Sequence, residues 1–367
     1  MQSTLLKVVL VDVLVLVGGA GRLLAQGEIQ VNRAGSSLGG ALKQEIVVNV
    51  DNLSALLGKT PAGKQPVLFL DGREIKGVFG APRVPPAPGQ PGVLVFKLER
   101  NADNRDAWKP LLSQPTFAPK SVSLSVGVPD AAPERTTLTD FQLTVLHGWW
   151  FALWSFGIVI AGLLFVHPKT GGGLRSMLRE SGPLPAGAPA GATAAYSLGR
   201  CQMAFWFVLV VAAYILLYMV TWDMDTVTQG TLALIGISAG TAFSGALVDT
   251  SKNAAMVTER TQLNAELAAA APPNAARQAE INSRILEINK QTDTPLHISW
   301  VSDLLTDANG ISLHRMQVFV WTIVLGVIFA VTVYNDLLMP DFSATLLGLM
   351  GISSGTYVGF KFPENKN

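Results

Sequence analysis

Ser197-Leu198-Gly199-Arg200-Cys201-Gln202 returns as Ser312-Leu313-His314-Arg315-Met316-Gln317, 115 positions later. The same offset carries Trp206 onto Trp321 and Asp249 onto Glu364. It also carries Gly236-Ile237-Ser238-Ala239-Gly240-Thr241 onto Gly351-Ile352-Ser353-Ser354-Gly355-Thr356, without a gap. A match of this length at one fixed offset marks a duplicated unit. Each copy holds two charge-free runs, 203–222 with 230–248 and 316–334 with 343–360. A helix needs about 20 apolar residues to cross the hydrocarbon core, so each copy reads as a two-helix membrane hairpin. Both hairpins enter and leave on one side, which predicts a parallel pair related by a pseudo-two-fold along the membrane normal.

Composition agrees with a membrane protein. Of 367 residues, 49% are apolar and only 14% charged, with mean hydropathy +0.36, against about a quarter charged in a soluble domain. A fifth charge-free run, 149–166, precedes the repeats. Net charge is +1, which gives no electrostatic reason to expect a nucleic-acid partner. The single cysteine, Cys201, excludes an intrachain disulfide. At the start, Lys7 precedes an apolar run from Val8 to Val17, and Ala25-Gln26-Gly27 offers a small-x-small cleavage site. Residues 1–27 therefore read as a signal peptide or an uncleaved anchor, and both place the segment after it outside the cytoplasm.

Residues 28–145 read as an exported β-rich domain. Alternating or β-branched runs occur at Glu45–Val50, Val67–Leu70, Glu74–Phe79, Gly92–Leu98, Ser121–Val128 and Thr136–Val145. Asp71-Gly72 joins two of them and suits a two-residue type I′ hairpin, whose central residues both need positive φ. Ala81–Gly92 is rich in Pro and Gly and predicts a loop. Six or seven short strands at this spacing suggest an immunoglobulin-like sandwich. The fold class expected is a membrane α-helical bundle of about five helices plus an N-terminal exported β-sandwich.

Loop charges set the expected topology. The segment 168–196 and its flank carry Lys169, Arg175, Arg179 and Arg200 against Glu180, whereas the turns 223–229 and 335–342 carry Asp223, Asp225, Asp336 and Asp341 and no Lys or Arg. The positive-inside rule puts the basic segment in the cytoplasm and the acidic turns outside, in a bacterial inner membrane with a cytoplasmic C-terminus. The predicted divisions are 146–167 as first membrane helix, 168–196 as flexible linker with a short helix at Leu174–Arg179, 197–249 and 312–367 as the hairpins, and 250–311 between them. Within 250–311, Pro272-Pro273 separates two polar helices, Asn274 is placed to cap the second, and Ile281, Ile285 and Ile288 recur at helical spacing. Glu280 and Arg284 are spaced to pair. Ile298–Leu305 reads as an interfacial helix on the inner leaflet.

The residues with functional promise lie in the repeats. Gly236, Gly240 and Ser244 are four apart, as are Gly351, Gly355 and Gly359, a small-xxx-small stripe that lets helix backbones approach. Ser238, Thr241, Ser353, Ser354 and Thr356 add hydroxyls. Two readings stand: tight packing within or between subunits, or the lining of a pore. Arg200, Gln202, Arg315 and Gln317 mark the inner boundary, where long cations reach headgroups. Ser197 and Ser312 are placed to cap helices. Asp223, Asp225, Asp336 and Asp341 would form an outer mouth that concentrates cations. No charge falls at mid-membrane, which disfavours a proton-coupled carrier.

The pattern Ser-Leu-x-Arg-x-Gln…Gly-Ile-Ser-x-Gly-Thr and the ending Gly355-Thr356-Tyr357-Val358-Gly359-Phe360-Lys361-Phe362-Pro363-Glu364 resemble a group of uncharacterised bacterial multi-pass inner-membrane proteins. The resemblance covers about the C-terminal half and implies a bacterial membrane location, with no activity attached.

Motifs for catalysis do not hold. Gly-x-Ser-x-Gly occurs around Ser37, Ser238 and Ser353, but a nucleophilic serine needs a base in reach, and His147, His167, His297 and His314 all flank the membrane runs. Gly58-x-x-x-x-Gly63-Lys64 half-matches a phosphate loop, with Gln65 where Ser or Thr should bind Mg²⁺. No catalytic, cofactor or metal residues are expected. The function expected is an oligomeric channel-like pore with an exported sensing or docking domain. The alternative is a scaffold or signalling adaptor. Expected partners are lipid, further copies of the chain, and a protein at the exported domain or at the helical hairpin.

Overall fold

A computed structural model of the chain describes residues 28–83, 91–148, 173–182, 184–185, 187–269, 273–307 and 310–361, with 152 and 157 singly. The expected signal segment 1–27 lies outside the described residues, as does most of the expected first membrane helix. Two compact units result, one of the first 152 residues with Tyr218–Trp222, the other of the remainder.

The N-terminal unit is β-rich. Its strands are β1 (Gln30–Asn32), β2 (Gly39–Ala41), β3 (Glu45–Asp51), β4 (Val67–Leu70), β5 (Arg73–Phe79), β6 (Ala81–Pro82), β7 (Gly92–Lys97), β8 (Lys120–Val122), β9 (Leu124–Gly127), β10 (Arg135–Thr136) and β11 (Phe141–Thr144). They form sheets in the orders β10-β1-β3-β7-β6, β2-β11-β8 and β5-β4-β9. Along β3, Ile46, Val48 and Val50 point inward while their neighbours do not, and Ile46 and Val48 face Phe96 and Leu94 of β7. That alternation is what a half-buried strand requires. Asp71 and Gly72 have φ of 47° and 72°, and Leu70 pairs with Arg73, which is the primed hairpin the dipeptide predicts.

Two differences are instructive. The runs Ser121–Val128 and Thr136–Val145 each divide between two strands, and β1–β10 and β2–β11 pair in parallel, unlike a purely antiparallel sandwich. Helices α1 (Leu53–Lys59) and α2 (Arg105–Leu112) went unforeseen. In α2, Trp108 is fully buried and its indole N–H donates to the Glu99 carbonyl at 3.2 Å. A buried ring of this size offsets the ordering of a short polar helix by about 2–3 kcal/mol.

The second unit holds helices α3 (Leu198–Thr221), α4 (Gln229–Leu267), α5 (Ala275–Thr292), α6 (Trp300–Leu305), α7 (Leu313–Asp336) and α8 (Ala344–Lys361), with the short strands β12 (Thr306–Asp307) and β13 (Gly310–Ile311) before α7. Three of these, α3, α4 and α7, are long and apolar enough to cross a membrane. Helix α8 forms where a span is expected, but it is not among those three. The duplication is visible in the backbone. Trp222 and Leu337, at equivalent positions, both end their helices in the left-handed region, with φ of 58° and 54°. A bulky residue there is unusual, and its recurrence at one offset reports a shared turn. The start of α4 is bonded to Pro340 and Asp341 of the turn before α8, and this is the turn end of the bundle; the start of α3 and the end of α8 lie at its base.

Helix α4 runs on for 39 residues, about 58 Å at 1.5 Å per residue, and pairs beyond the base with α5. Thr228 caps α4, accepting from the Thr231 N–H, and Asn274 caps α5, accepting from the Arg277 N–H. Ile281 and Ile288 are buried. The expected Glu280–Arg284 pair does not form. Instead Arg284 bridges Glu259 across the arms at 2.7 Å and Glu287 at 2.8 Å, while Arg277 bridges Glu266 and Glu280. A guanidinium fork prefers the facing carboxylate that it can grip with two bonds.

Candidate functional site: the base of the helical bundle

At the base, α8 ends in a buried cation. Lys361 Nζ lies 2.7 Å from an Asp249 carboxylate oxygen of α4 and 3.5 Å from Glu180. The three side chains are only 6%, 9% and 9% exposed. Gly245, one turn before Asp249, lies beside the amine: a Cβ there would stand in ordinary contact, 3.6 Å from Lys361 Nζ. Two carboxylates flank one ammonium, so the buried cation is paired, as a buried charge demands.

The expected linker is part of this site. Arg179 and Tyr196 form a bridge, as do Ala194 and Leu296, and Ala195 N–H donates to the Pro295 carbonyl at 2.8 Å. Residues 178–181, 193–197 and 294–298 are thereby laced side by side, and Glu180 is held in place rather than loose. The Asp303 carboxylate, 2% exposed, contacts His297 Nδ1 at 2.6 Å and accepts from the Tyr196 and Ile298 N–H groups at 3.0 and 3.1 Å. Arg179 lies over the Tyr196 ring at 4.4 Å. Leu198, Leu304, Val318 and Tyr357 close the apolar side.

The predicted boundary residues do not behave alike. Arg200 donates to the Arg179 carbonyl and to Ser181 Oγ, both at 2.6 Å. Arg315, its equivalent, is buried, with its guanidinium 5.7 Å from the Tyr357 ring centre; it does not reach out to headgroups. Gln202 is buried, its Oε1 without a partner among the described residues, whereas Gln317 is half-buried. Ser312 does not cap α7; its hydroxyl turns to the His314 ring at 2.9 Å.

The hydroxyl and glycine rows separate onto different faces. Ser238, Thr241, Ser353 and Ser354 are buried on α4 and α8, the two closely packed second helices. Ser238, Thr241, Ser353 and Thr356 each donate to a carbonyl of their own helix at 2.8 Å. The glycines stand on the opposite side, since two residues along a helix turn it by about 200°. A Cβ at Gly236, Gly240, Gly351, Gly355 or Gly359 would meet nothing within 4 Å, and Ser244 is half-buried. The expectation that this stripe packs tightly inside the chain is therefore corrected. Close approach occurs elsewhere: a Cβ on Gly326 of α7 would come within 2.6 Å of the Phe205 ring of α3.

The acidic candidates are engaged in different ways. Asp341 accepts from the Gly230 N–H at 2.8 Å, capping the start of α4 from the opposite hairpin. Pro340 accepts from Thr228 and Thr231 hydroxyls at 2.8 and 3.1 Å. Asp223 accepts from the Asp225 N–H at 3.1 Å, a local turn, and Asp336 is the last residue of α7. Lys361 and Glu180 were missed as candidates because their partners are distant in sequence, whereas His297 and Asp303 meet across six positions whose pattern reads only as an interfacial helix. The signal available was that Asp249 and Lys361 each end a charge-free run. Among the described residues no group of three metal-ligating side chains occurs.

These features define a chain with three helices long and apolar enough to cross a membrane, a β-rich N-terminal region and a charged, interlocked base. No protein-family model, curated protein or solved structure matches the chain.

Proposed function

We propose that the protein is a non-enzymatic, homo-oligomeric scaffold and signal adaptor of a bacterial inner membrane, linking an extracytoplasmic partner of the β-rich domain to a cytoplasmic partner of the α4–α5 hairpin. The observation that carries this reading is the continuity of α4. One helix is bonded to Pro340 and Asp341 at the turn end, packs on α8 through its hydroxyl face, is pinned at the base by Asp249–Lys361, and then forms an arm of the hairpin. A helix continuous from the turns to the hairpin offers a contiguous physical path along which the two ends can be coupled. The exposed glycines supply a surface for helix association between copies.

A pore between subunits is the second reading, favoured by those same glycines. Ion flux through purified protein in liposomes, with oligomer mass measured alongside, separates the readings. The scaffold gives flux equal to empty vesicles from an intact oligomer, and Gly240→Leu or Gly355→Leu lowers its mass. Flux above the control that shifts in Gly355→Leu would refute the scaffold in favour of the pore.

A further inference from the structure

The apolar surface around the first turn of α7 points to what holds the base at its depth. Ile298, Trp300, Val301, Ile311 and Leu313 are all exposed, Ile298 by 79%, Ile311 by 78% and Leu313 by 73%. They lie on segments that converge there. Ser312 N–H donates to the Leu305 carbonyl at 2.9 Å, so β13 brings the chain back to the end of α6 before α7 starts. The Trp300 ring meets Phe319 of α7 edge-on, 6.1 Å between centres.

Their exposure is built in. Ser299 Oγ caps α6 by accepting from the Ser302 N–H. Asp303 is fixed by His297 and by the Tyr196 and Ile298 N–H groups. Leu304 is 1% exposed within the apolar cluster of the base. The inner face of α6 is thus fully engaged, and the same two turns hold Trp300 and Val301 outward.

The patch continues the exposed stripe of α7, made by Met316, Val320, Ile323, Val324, Val327 and Val331, in a helix apolar enough to cross a membrane. From Leu313 to Tyr334 the helix rises about 31 Å, and the hydrocarbon core is about 30 Å thick. Leu313 therefore falls at one boundary and Tyr334, 45% exposed, at the other. Tryptophan and long apolar side chains are favoured at that level, one side in acyl chains and one in headgroups. We propose that Ile298, Trp300, Val301 and Ile311 form, with Leu313, a collar seated in the headgroup–acyl boundary of the bilayer. The occupant of this surface is lipid, and Leu304 and Asp303 tie the collar to the charged base.

The test places a nitroxide at Ile298→Cys or Ile311→Cys in full-length Cys201→Ser protein, reconstituted in phosphatidylcholine–phosphatidylglycerol vesicles. Val327→Cys, 59% exposed on α7, and Leu286→Cys, 58% exposed on α5, serve as lipid and aqueous references. Collision with oxygen, relative to a water-soluble nickel chelate, should exceed the Leu286→Cys ratio at both collar positions by at least about threefold. Ratios equal to the aqueous reference would overturn the proposal. Protection from both reagents, with a disulfide between two copies, would assign the face to a second chain and also overturn it. Trp300→Ser should raise chelate access at Ile311→Cys; unchanged access would overturn the collar as one unit.

Discussion

Replacing Lys361 with Met keeps the side-chain volume and removes a cation that Asp249 and Glu180 share. Because all three side chains are under 10% exposed, solvent screening discounts little of the effect. The variant leaves two buried carboxylates, and removing one partner of a buried pair costs about 3–5 kcal/mol. Attraction falls as the inverse of distance, and Asp249 at 2.7 Å also accepts a hydrogen bond while Glu180 stands at 3.5 Å. Asp249→Asn should therefore cost more than Glu180→Gln. In the double variant Asp249→Asn/Lys361→Met one of the two carboxylates left by Lys361→Met is neutralised, the nearer one, so about 1–2 kcal/mol of the loss should return as coupling. The assay is denaturant unfolding in one detergent, followed by helical circular dichroism, over the full mutant cycle. A cost below about 1 kcal/mol for Lys361→Met, the range of a solvated pair, or strictly additive single effects, would refute the interlocked base.

Gly230→Ala should destabilise the protein by about 2 kcal/mol or more, because its Cβ would stand 2.7 Å from Asp341 Oδ1 and press on the Phe342 N–H. Gly236→Ala, open on every side, should be neutral or raise Tm through helix propensity; thermal unfolding of the two distinguishes them. Gln202→Met removes a buried acceptor that has no partner, so stability should stay level or rise; a loss above about 1 kcal/mol would show that Gln202 holds a buried water. In the β-rich domain, the Lys43 ammonium beside Glu99 donates to its carboxylate and holds it below the usual carboxylate range. Its folded pKa is the lower one, so the contribution is present above the ordinary glutamate pKa and fades as pH falls through the folded value. The pair is exposed, so Lys43→Met should remove less than about 1 kcal/mol at pH 7 and none of it at pH 2, measured by denaturant midpoint against pH.

What the sequence disclosed came from local rules. Asp71-Gly72 needs no partner beyond its own strands to become a primed turn. Asn274 caps from its own first turn, and the repeat at 115 positions predicted the equivalent hairpins. What it hid depends on which distant segment arrives. Asp341 looked like a free acidic residue because the Gly230 N–H it accepts from is over a hundred positions away. Arg200 and Arg315 share a motif position, yet only Arg315 is covered, since Tyr357 of α8 lies against it. The glycine spacing announced close packing, but spacing names a face and not its neighbour; α8 packs on the hydroxyl side instead. Residues 178–197 looked like linker by composition, whereas their order comes from pairing with 294–298.

The rod-like continuity of α4 is the centre of the account, and one distance tests it most directly. Leu232 and Val257 are both exposed on α4, 25 residues apart, which places them on one face about 37 Å from each other. Nitroxides at Leu232→Cys and Val257→Cys in Cys201→Ser protein, in vesicles and diluted with unlabelled protein, report that separation by pulsed dipolar spectroscopy. An unbroken helix pinned at Asp249 gives a single narrow distribution near that value. A broad distribution, or one centred below about 30 Å, would mean that α4 breaks at the base, and the proposed relay from turn to hairpin would fall with it.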